Sequence, residues 1–217
     1  MFIKDYVSKD YPAFSTSDSI EEASEIAKEF GYSHIFIKKK GIYCGALSQS
    51  FLEESPEGSL STLELHYEKF AIMEDGSILD TVKLFHIFNA NVVPVIGKTE
   101  KYLGYISCDD VFTEFSKYPL FSENGAILTV QTTSKHYSFT EIAKIVEENN
   151  AKIYGCFVSA IHEDNFWLTL KISGDSLSSV DETFERYGYN VVQKHYIDEK
   201  EDLLKDRFDF FQKYLEF

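Results

Sequence analysis

Tryptophan occurs once in this 217-residue chain and cysteine only three times, at Cys44, Cys108 and Cys156. The three cysteines are far apart and share no paired spacing, which argues against a disulfide framework and for free thiols in a reducing compartment. Positive charge is also scarce: 21 Lys and Arg stand against 36 Asp and Glu, a net charge of −15. Such a surface repels a phosphodiester backbone and an anionic lipid face, so neither nucleic acid nor membrane is expected as a partner. No apolar run approaches the roughly 18 residues a membrane helix requires. The opening stretch "MFIKDYVSKDYP" lacks a basic head followed by an apolar core, so no signal peptide is expected and the cytoplasm is the expected location. The six histidines, His34, His66, His86, His136, His162 and His195, show no metal-ligand spacing. A nucleophile elbow, a phosphate-cradling glycine loop and a Cys-His pair are missing too, so no catalytic residue and no required cofactor is assigned.

What is present is ordinary for a folded soluble protein: 44% apolar and 26% charged residues, in a length that fits one large or two average domains. The 14 tyrosines and 19 phenylalanines favour a strand-containing fold over a helical bundle.

The chain also repeats itself. "SIEEASEIAKEFGYS" (19–33) and "SILDTVKLFHIFNAN" (77–91) both have helical period. Ile20, Ala23, Ile26, Ala27 and Phe30 fall on one face of the first, and Ile78, Val82, Phe85 and Phe88 on one face of the second. Ser19 and Ser77 are the expected N-caps. A short apolar strand follows in each, "HIFI" (34–37) and "VVPVI" (92–96), then a charged turn, "KKKG" and "GKTEK". The second strands, "IYCGAL" (42–47) and "YLGYI" (102–106), carry Gly45 and Gly104 in matching places, with Ser48 and Ser107 three residues beyond. Glycine inside a strand marks a bulge or a close approach by another backbone or a ligand. The economical reading is a duplicated β-α-β-β-α unit.

With "VPVI", "YLGYIS" and Asp110 three residues after Ser107, the second copy resembles the CBS motif, and the two copies resemble a CBS pair, or Bateman module. In the first copy Phe36 stands where the second has Pro94, and Phe51 where it has Asp110.

Past Phe121 the texture changes. Strand (125–133), helix (138–151), two strands (152–161 and 165–173), helix (176–189) and a last strand (190–196) give the β-α-β-β-α-β order of the ferredoxin-like split motif. After a CBS pair this layout resembles an ACT domain, in the arrangement of acetoin-utilisation-type (AcuB-like) proteins. Tyr137 falls about where ACT domains that bind amino acids place a glycine. The expected fold class is therefore α/β (α+β). The CBS pair is assigned to 1–121 (copies about 1–60 and 61–121) and the ACT-like domain to 122–197, with "YPLFSENG" (118–125) at the boundary. Residues 198–217 read as an amphipathic helix, with Leu204, Phe208, Phe211 and Leu215 at helical spacing. It either folds back on its own domain or reaches a second subunit.

Ser107 and Asp110 are the sharpest site candidates. Taken alone they read as an N-cap with an acid in the first turn. The resemblance adds a second role: the Asp accepts from ribose hydroxyls and the Ser donates to phosphate, at a helix terminus whose free N–H groups suit an anion. Ala71, Ile72, Val93 and Pro94 would flank the adenine, and all four are also ordinary core residues. The resemblance thus implies a non-catalytic regulatory protein with AMP, ADP or ATP as regulatory ligand, one occupied site per chain, and a homodimer built through apolar helical faces such as Phe85 and Phe88. The rival reading is a ligand-free scaffold or dimerisation protein, or a small-molecule sensor acting through the ACT-like half. Lys38, Lys39, Lys40, Lys98 and Lys101 in the two turns are solvated or, in the minority reading, touch phosphate.

Overall fold

The first helix of each repeat begins where a serine hydroxyl receives its first free N–H groups. In the computed structural model, which describes residues 2–174 and 177–195, the first copy runs β1 (Phe14–Ser15), α1 (Ile20–Phe30), β2 (His34–Lys39), β3 (Ile42–Ser48) and α2 (Gln49–Glu54). The second runs β4 (Ile72–Met73), α3 (Ile78–Ile87), β5 (Val92–Ile96), β6 (Tyr102–Ser107) and α4 (Cys108–Phe115). Ser19 accepts from the Glu21 and Glu22 amides, and Ser77 forms a capping box with Asp80. Each copy makes a three-stranded sheet in which the first strand is parallel to the second and the second antiparallel to the third. The β-α-β-β-α order expected from the sequence is thus the order of both copies.

The copies are laced together by the segments that precede them. Ser8 exchanges two backbone hydrogen bonds with Tyr105 of β6 (2.8 and 3.0 Å), and Glu68 exchanges two with Ala46 of β3 (both 2.9 Å). Chain ahead of copy one therefore completes copy two, and chain ahead of copy two completes copy one. Ser33 and Asn91, which precede β2 and β5, also bond reciprocally. The Ser33 amide donates to Asn91 Oδ1 (2.8 Å) and the Asn91 amide to Ser33 Oγ (2.9 Å).

This lacing explains the paired glycines. Register shifts place one extra residue, Cys44 or Leu103, just before each glycine, a bulge in both strands. A Cβ on Gly104 would lie 2.3 Å from the Ser8 carbonyl oxygen, and one on Gly45 would lie 2.7 Å from Tyr67 Cβ. Both glycines have positive φ, +147° and +150°. Of the alternatives a strand glycine leaves open, the bulge and the close approach of the chain's own backbone are the ones realised at Gly104, and the space beside it is not a ligand's.

One core cluster spans both copies, with Ile35, Phe36, Ile37, Val92, Val93 and Val95 fully buried. Burying each such side chain is worth about 1.5–3 kcal/mol. The helical faces need correction. Thr81, its hydroxyl bonded to the Ile78 carbonyl (2.6 Å), is fully buried, while Val82 is exposed. A threonine whose hydroxyl is satisfied within its own helix enters a core without an orphaned donor. Phe30 is exposed at the end of α1 although its ring touches Tyr11 and Tyr32. Phe85 and Phe88 pack against the core, and Phe88 stacks on Phe70 at 4.2 Å. The outward apolar residues here are instead Leu79, Val82 and Ile87 on α3 and Phe112 on α4.

Contacts divide the chain after Ser116, and a second unit begins at Lys117. It contains α5 (Pro119–Ser122), β7 (Ala126–Thr133), α6 (Phe139–Glu148), β8 (Ile153–His162), β9 (Asn165–Ile172), α7 (Leu177–Arg186) and β10 (Asn190–His195). The fully antiparallel order β10-β7-β9-β8 is the ferredoxin-like arrangement read from the sequence. Alternate residues of β7 (Ala126, Leu128, Val130) and of β9 (Leu168, Leu170, Ile172) share a core with Ile142, Ile145 and Val146 of α6. Phe139, the first residue of α6, is exposed. The helix read over 198–217 lies outside the described residues.

Gly104→Ala is expected to lower stability by about 1–3 kcal/mol, because the added methyl must displace residues 7–9. Gly31→Ala, at a helix end where a Cβ meets nothing within 4 Å, keeps only its backbone strain. Equal melting temperatures for Gly104→Ala and wild type would show that the crossover bears no part of the stability.

Candidate functional site

Ser107 ends β6 and caps α4. Its hydroxyl accepts from the Asp110 amide (3.0 Å) and donates to Asp110 Oδ2 (2.6 Å), and the same Oδ2 accepts from the Ser107 amide (3.2 Å). The capping-box reading of these two residues is therefore realised in the fold. Ser107 is buried and Asp110 partly exposed. Among the described residues, Asp110 Oδ1 has no hydrogen-bond partner.

Three of the other four candidates, Ile72, Val93 and Pro94, lie on the same small sheet but divide between its faces. Val92 pairs with Ser107, Val93 with Ile106, Pro94 with Tyr105, and Val95 with both Gly104 and Ile72. Side chains alternate along a strand. Ser107 and Pro94 accordingly share one face, while Val93 and Ile72 share the opposite face, and all four are buried. Ala71, half-buried, precedes β4. The fold brings Pro94 to the side of Ser107 and leaves Ile72 and Val93 only their backbone to offer on that side.

The first copy repeats the frame with different contents. Ser48 caps α2 by accepting from the Phe51 amide (3.2 Å), and the Phe51 ring packs 5.0 Å from that of His66. No carboxylate stands where Asp110 does. The turn lysines are distant from either cap. Six residue steps along β6 lead from Lys101 to Ser107, about 20 Å at the usual rise per strand residue. Lys38 and Lys39 belong to β2 itself, leaving Lys40 and Gly41 as the turn.

Two features escaped sequence reading. The first is a tyrosine cluster where the copies meet. Tyr105 donates to Asp10 Oδ1 (2.7 Å), which leaves Tyr32 to donate to Tyr105 across 3.0 Å. Tyr11 and Phe36 rings lie 5.7 and 6.5 Å from Tyr105. Burial, then the bonds with Tyr32 and Asp10, raise the Tyr105 phenol far above its usual range. The second is His34, a buried imidazole whose Nε2 has no hydrogen-bond partner and lies 3.7 Å from a Glu68 carboxylate oxygen. Only the abundance of tyrosine hinted at the first; neither is signalled by spacing.

In the second unit, the Tyr137 ring stacks on Phe166 at 5.0 Å and meets Phe139 edge-on at 5.4 Å. The turn where the resemblance puts an amino-acid-binding glycine is thus packed with aromatic rings. Among the described residues, no three His, Cys, Asp or Glu side chains are placed to hold a metal ion, and no helix is long and apolar enough to cross a membrane.

No family model and no curated protein matches the chain. Similar folds occur among solved structures. A CBS domain pair/ACT domain protein from Thermotoga maritima is 19% identical with a TM-score of 0.47, over 53% of this chain and 96% of that one. The CBS domains of a transcriptional regulator from Streptococcus pneumoniae are 13% identical with a TM-score of 0.45, over 52% and 98%. A CBS domain pair in complex with 5′-methylthioadenosine and S-adenosyl-L-methionine is 18% identical with a TM-score of 0.42, over 53% and 99%.

His34 supplies a pH dependence with a definite sign. Burial pushes its pKa down to about 4, against about 6.5 in an unfolded chain. The unfolded state therefore takes up the proton first. The stability due to neutral His34 is complete above pH ~6.5 and is lost as pH falls from there toward 4. Burial raises the Glu68 carboxyl, which works in the opposite direction over the acid end of that window. Chemical denaturation at pH 7 and pH 4.5 should show a smaller acid-induced loss in His34→Gln than in wild type. Equal losses would contradict a buried neutral imidazole.

Proposed function

We propose that this chain is a non-catalytic regulatory protein of the CBS-pair type, sensing an adenosine-containing nucleotide at the Ser107–Asp110 end of its second copy. The observation that carries this reading is the division of labour on one carboxylate. Asp110 Oδ2 closes the cap, while Oδ1 of the same partly exposed side chain is left to accept from a vicinal diol. Of the first amides of α4, that of Cys108 donates to the Asn91 carbonyl (2.8 Å) and that of Asp110 to Ser107 Oγ (3.0 Å), which leaves that of Asp109 for an anionic group, and Pro94, itself buried, lies on the same face of the sheet. The first copy, with Phe51 in place of the acid, stays empty, so one nucleotide binds per chain. AMP, ADP and ATP share the ribose that Asp110 reads, and the ligand acts by favouring one arrangement of the two copies.

A second reading has its own observation. The Ser107–Asp110 cap is complete without a ligand, and the space beside Gly104 is filled by residues 7–9. A ligand-free scaffold, paired through the exposed Leu79, Val82 and Ile87 of α3 and Phe112 of α4, would use the same frame for assembly alone. Both readings include a homodimer with two-fold symmetry, and a monomer mass by light scattering at micromolar concentration would count against both. The AcuB-like layout and the ACT character of the second unit belong to the sensor reading, as does residence in the cytoplasm.

Calorimetric titration with AMP and ATP separates the readings. Asp110→Ala removes charge-assisted hydrogen bonds worth roughly 1.5–3 kcal/mol, so affinity should fall about ten- to a hundredfold. Phe51→Ala should leave it unchanged. Wild type that binds no adenosine compound at millimolar concentration would favour the scaffold. Common amino acids should give no saturable heat with the full chain, because Tyr137 fills the turn that would receive them, and binding of any one of them would overturn that assignment.

A further inference from the structure

The hairpin that joins β2 to β3 and the one that joins β5 to β6 are about sixty residues apart in sequence and adjacent in the fold. Ile42 bridges Lys101, the Tyr43 amide donates to the Glu100 carbonyl (2.9 Å), and the Tyr102 amide donates to the Gly41 carbonyl (3.0 Å). Lys38, Lys39, Lys40, Lys98 and Lys101, five of the chain's 21 basic residues, are thereby gathered at one end of the pair. None of the five makes an ion pair with a described residue, in a chain that carries 36 acidic side chains. Lys38 lies over the Tyr102 ring (5.8 Å to its centroid) and Glu100 shares the second hairpin, so the excess of positive charge at this end rests on Lys39, Lys40, Lys98 and Lys101.

The geometry is also ordered. Lys39 pairs with Ile42 across the first hairpin, and Ile42 with Lys101 across the junction, so the three side chains form one cross-strand row. Ile42, in the middle, is 41% exposed. Positive φ at Lys40 and Gly41 (+52° and +85°) gives the tight two-residue turn that matches strand twist, and Glu100 (+60°) tightens the second hairpin. The platform is held by backbone bonds rather than by the lysines.

We propose that this row is a docking surface for an acidic amphipathic helix of a partner protein. Neighbouring strands are about 4.8 Å apart, close to the 5–6 Å between residues three or four apart on a helix face. A helix bearing Glu-x-x-Leu-x-x-x-Glu would set its leucine on Ile42 and its carboxylates on Lys39 and Lys101, with Lys40 and Lys98 at the rim. A membrane or a nucleic acid would bring a dense array of negative charge against a molecule of net charge −15, whereas a helix with two carboxylates brings its charge only to the lysine row. The surface lies about 20 Å along β6 from Ser107, so it is separate from the nucleotide reading and stands or falls without it.

The test uses the full chain and a labelled 20-residue helical peptide carrying that Glu-x-x-Leu-x-x-x-Glu pattern, read by fluorescence anisotropy. We expect saturable binding that weakens at least tenfold between 50 and 300 mM salt, by screening of the exposed charges, as an order-of-magnitude expectation. The Gln-for-Glu peptide should not bind. Lys39→Glu with Lys101→Glu should abolish binding, and Ile42→Ala should weaken it while leaving the salt dependence in place. If the charge-reversed protein melts unfolded, Lys39→Gln with Lys101→Gln serves instead, with a loss of about tenfold or more. Equal affinity for both peptides, or binding indifferent to the lysine variants, overturns the proposal. So does saturable binding of phosphatidylserine vesicles, an oligonucleotide or tripolyphosphate when the acidic peptide does not bind.

Discussion

Two pairs of backbone hydrogen bonds, Ser8 with Tyr105 and Glu68 with Ala46, decide how the rest of the first unit is built. Each closes one copy's last strand with chain that leads into the other copy. Neither three-stranded sheet is finished by its own sequence, so the two must form together. The bulge, the positive φ at Gly45 and Gly104, and the fully buried Ala46 and nearly buried Tyr105 all follow from making room for that crossover. The reciprocal Ser33–Asn91 bonds repeat the exchange near the other end of the strands. An arrangement so mutual ties any movement of β6 to copy one.

That constraint also explains why one carboxylate can be asked for two things. Asp110 is held by Oδ2 in the cap of α4, and α4 follows directly from the strand that Ser8 bonds. A side chain fixed in this way has lost its rotamer freedom before any ligand arrives, which lowers the entropic cost of using its other oxygen. The cap and the proposed diol contact are therefore compatible, and the cap prepares the contact.

The sequence revealed the repeat, the strand order, the caps and the position of both glycines, because these depend on local pattern: a helical period, a serine before it, a glycine in an apolar run. It did not reveal what the glycines make room for. The atoms that approach Gly104 come from residues 7–9, almost a hundred positions away, and no local pattern marks that pairing. The face of α3 was misread for a different reason. Val82 is the more apolar residue, but Thr81 satisfies its own hydroxyl inside the helix and so goes inward at no polar cost. Pro94 and Val93 looked equivalent as neighbours in one apolar strand, and only the register with Tyr105 and Ile106 puts them on opposite faces.

The symmetry of the frame makes the asymmetry of its contents informative. Ser48 and Ser107 occupy equivalent caps, yet Phe51 packs on His66 where Asp110, partly exposed, closes its own cap through Oδ2. Phe36 is fully buried at the place of Pro94, and its ring adjoins Tyr11, Tyr102 and Tyr105. Both sides are buried at Phe36 and at Pro94, so the copies differ in the third residue after the cap: a partly buried ring at Phe51 and a carboxylate at Asp110. Tyr105 links the halves: it pairs with Pro94 in β6's own sheet and bonds Asp10 and Tyr32 in the chain of copy one. A change at the Ser107 end of β6 would reach copy one along two adjacent residues, Ile106 and Tyr105, and would meet there a packed aromatic cluster. The acid-bearing cap thus stands on the second copy and the aromatic packing on the first, joined through one strand.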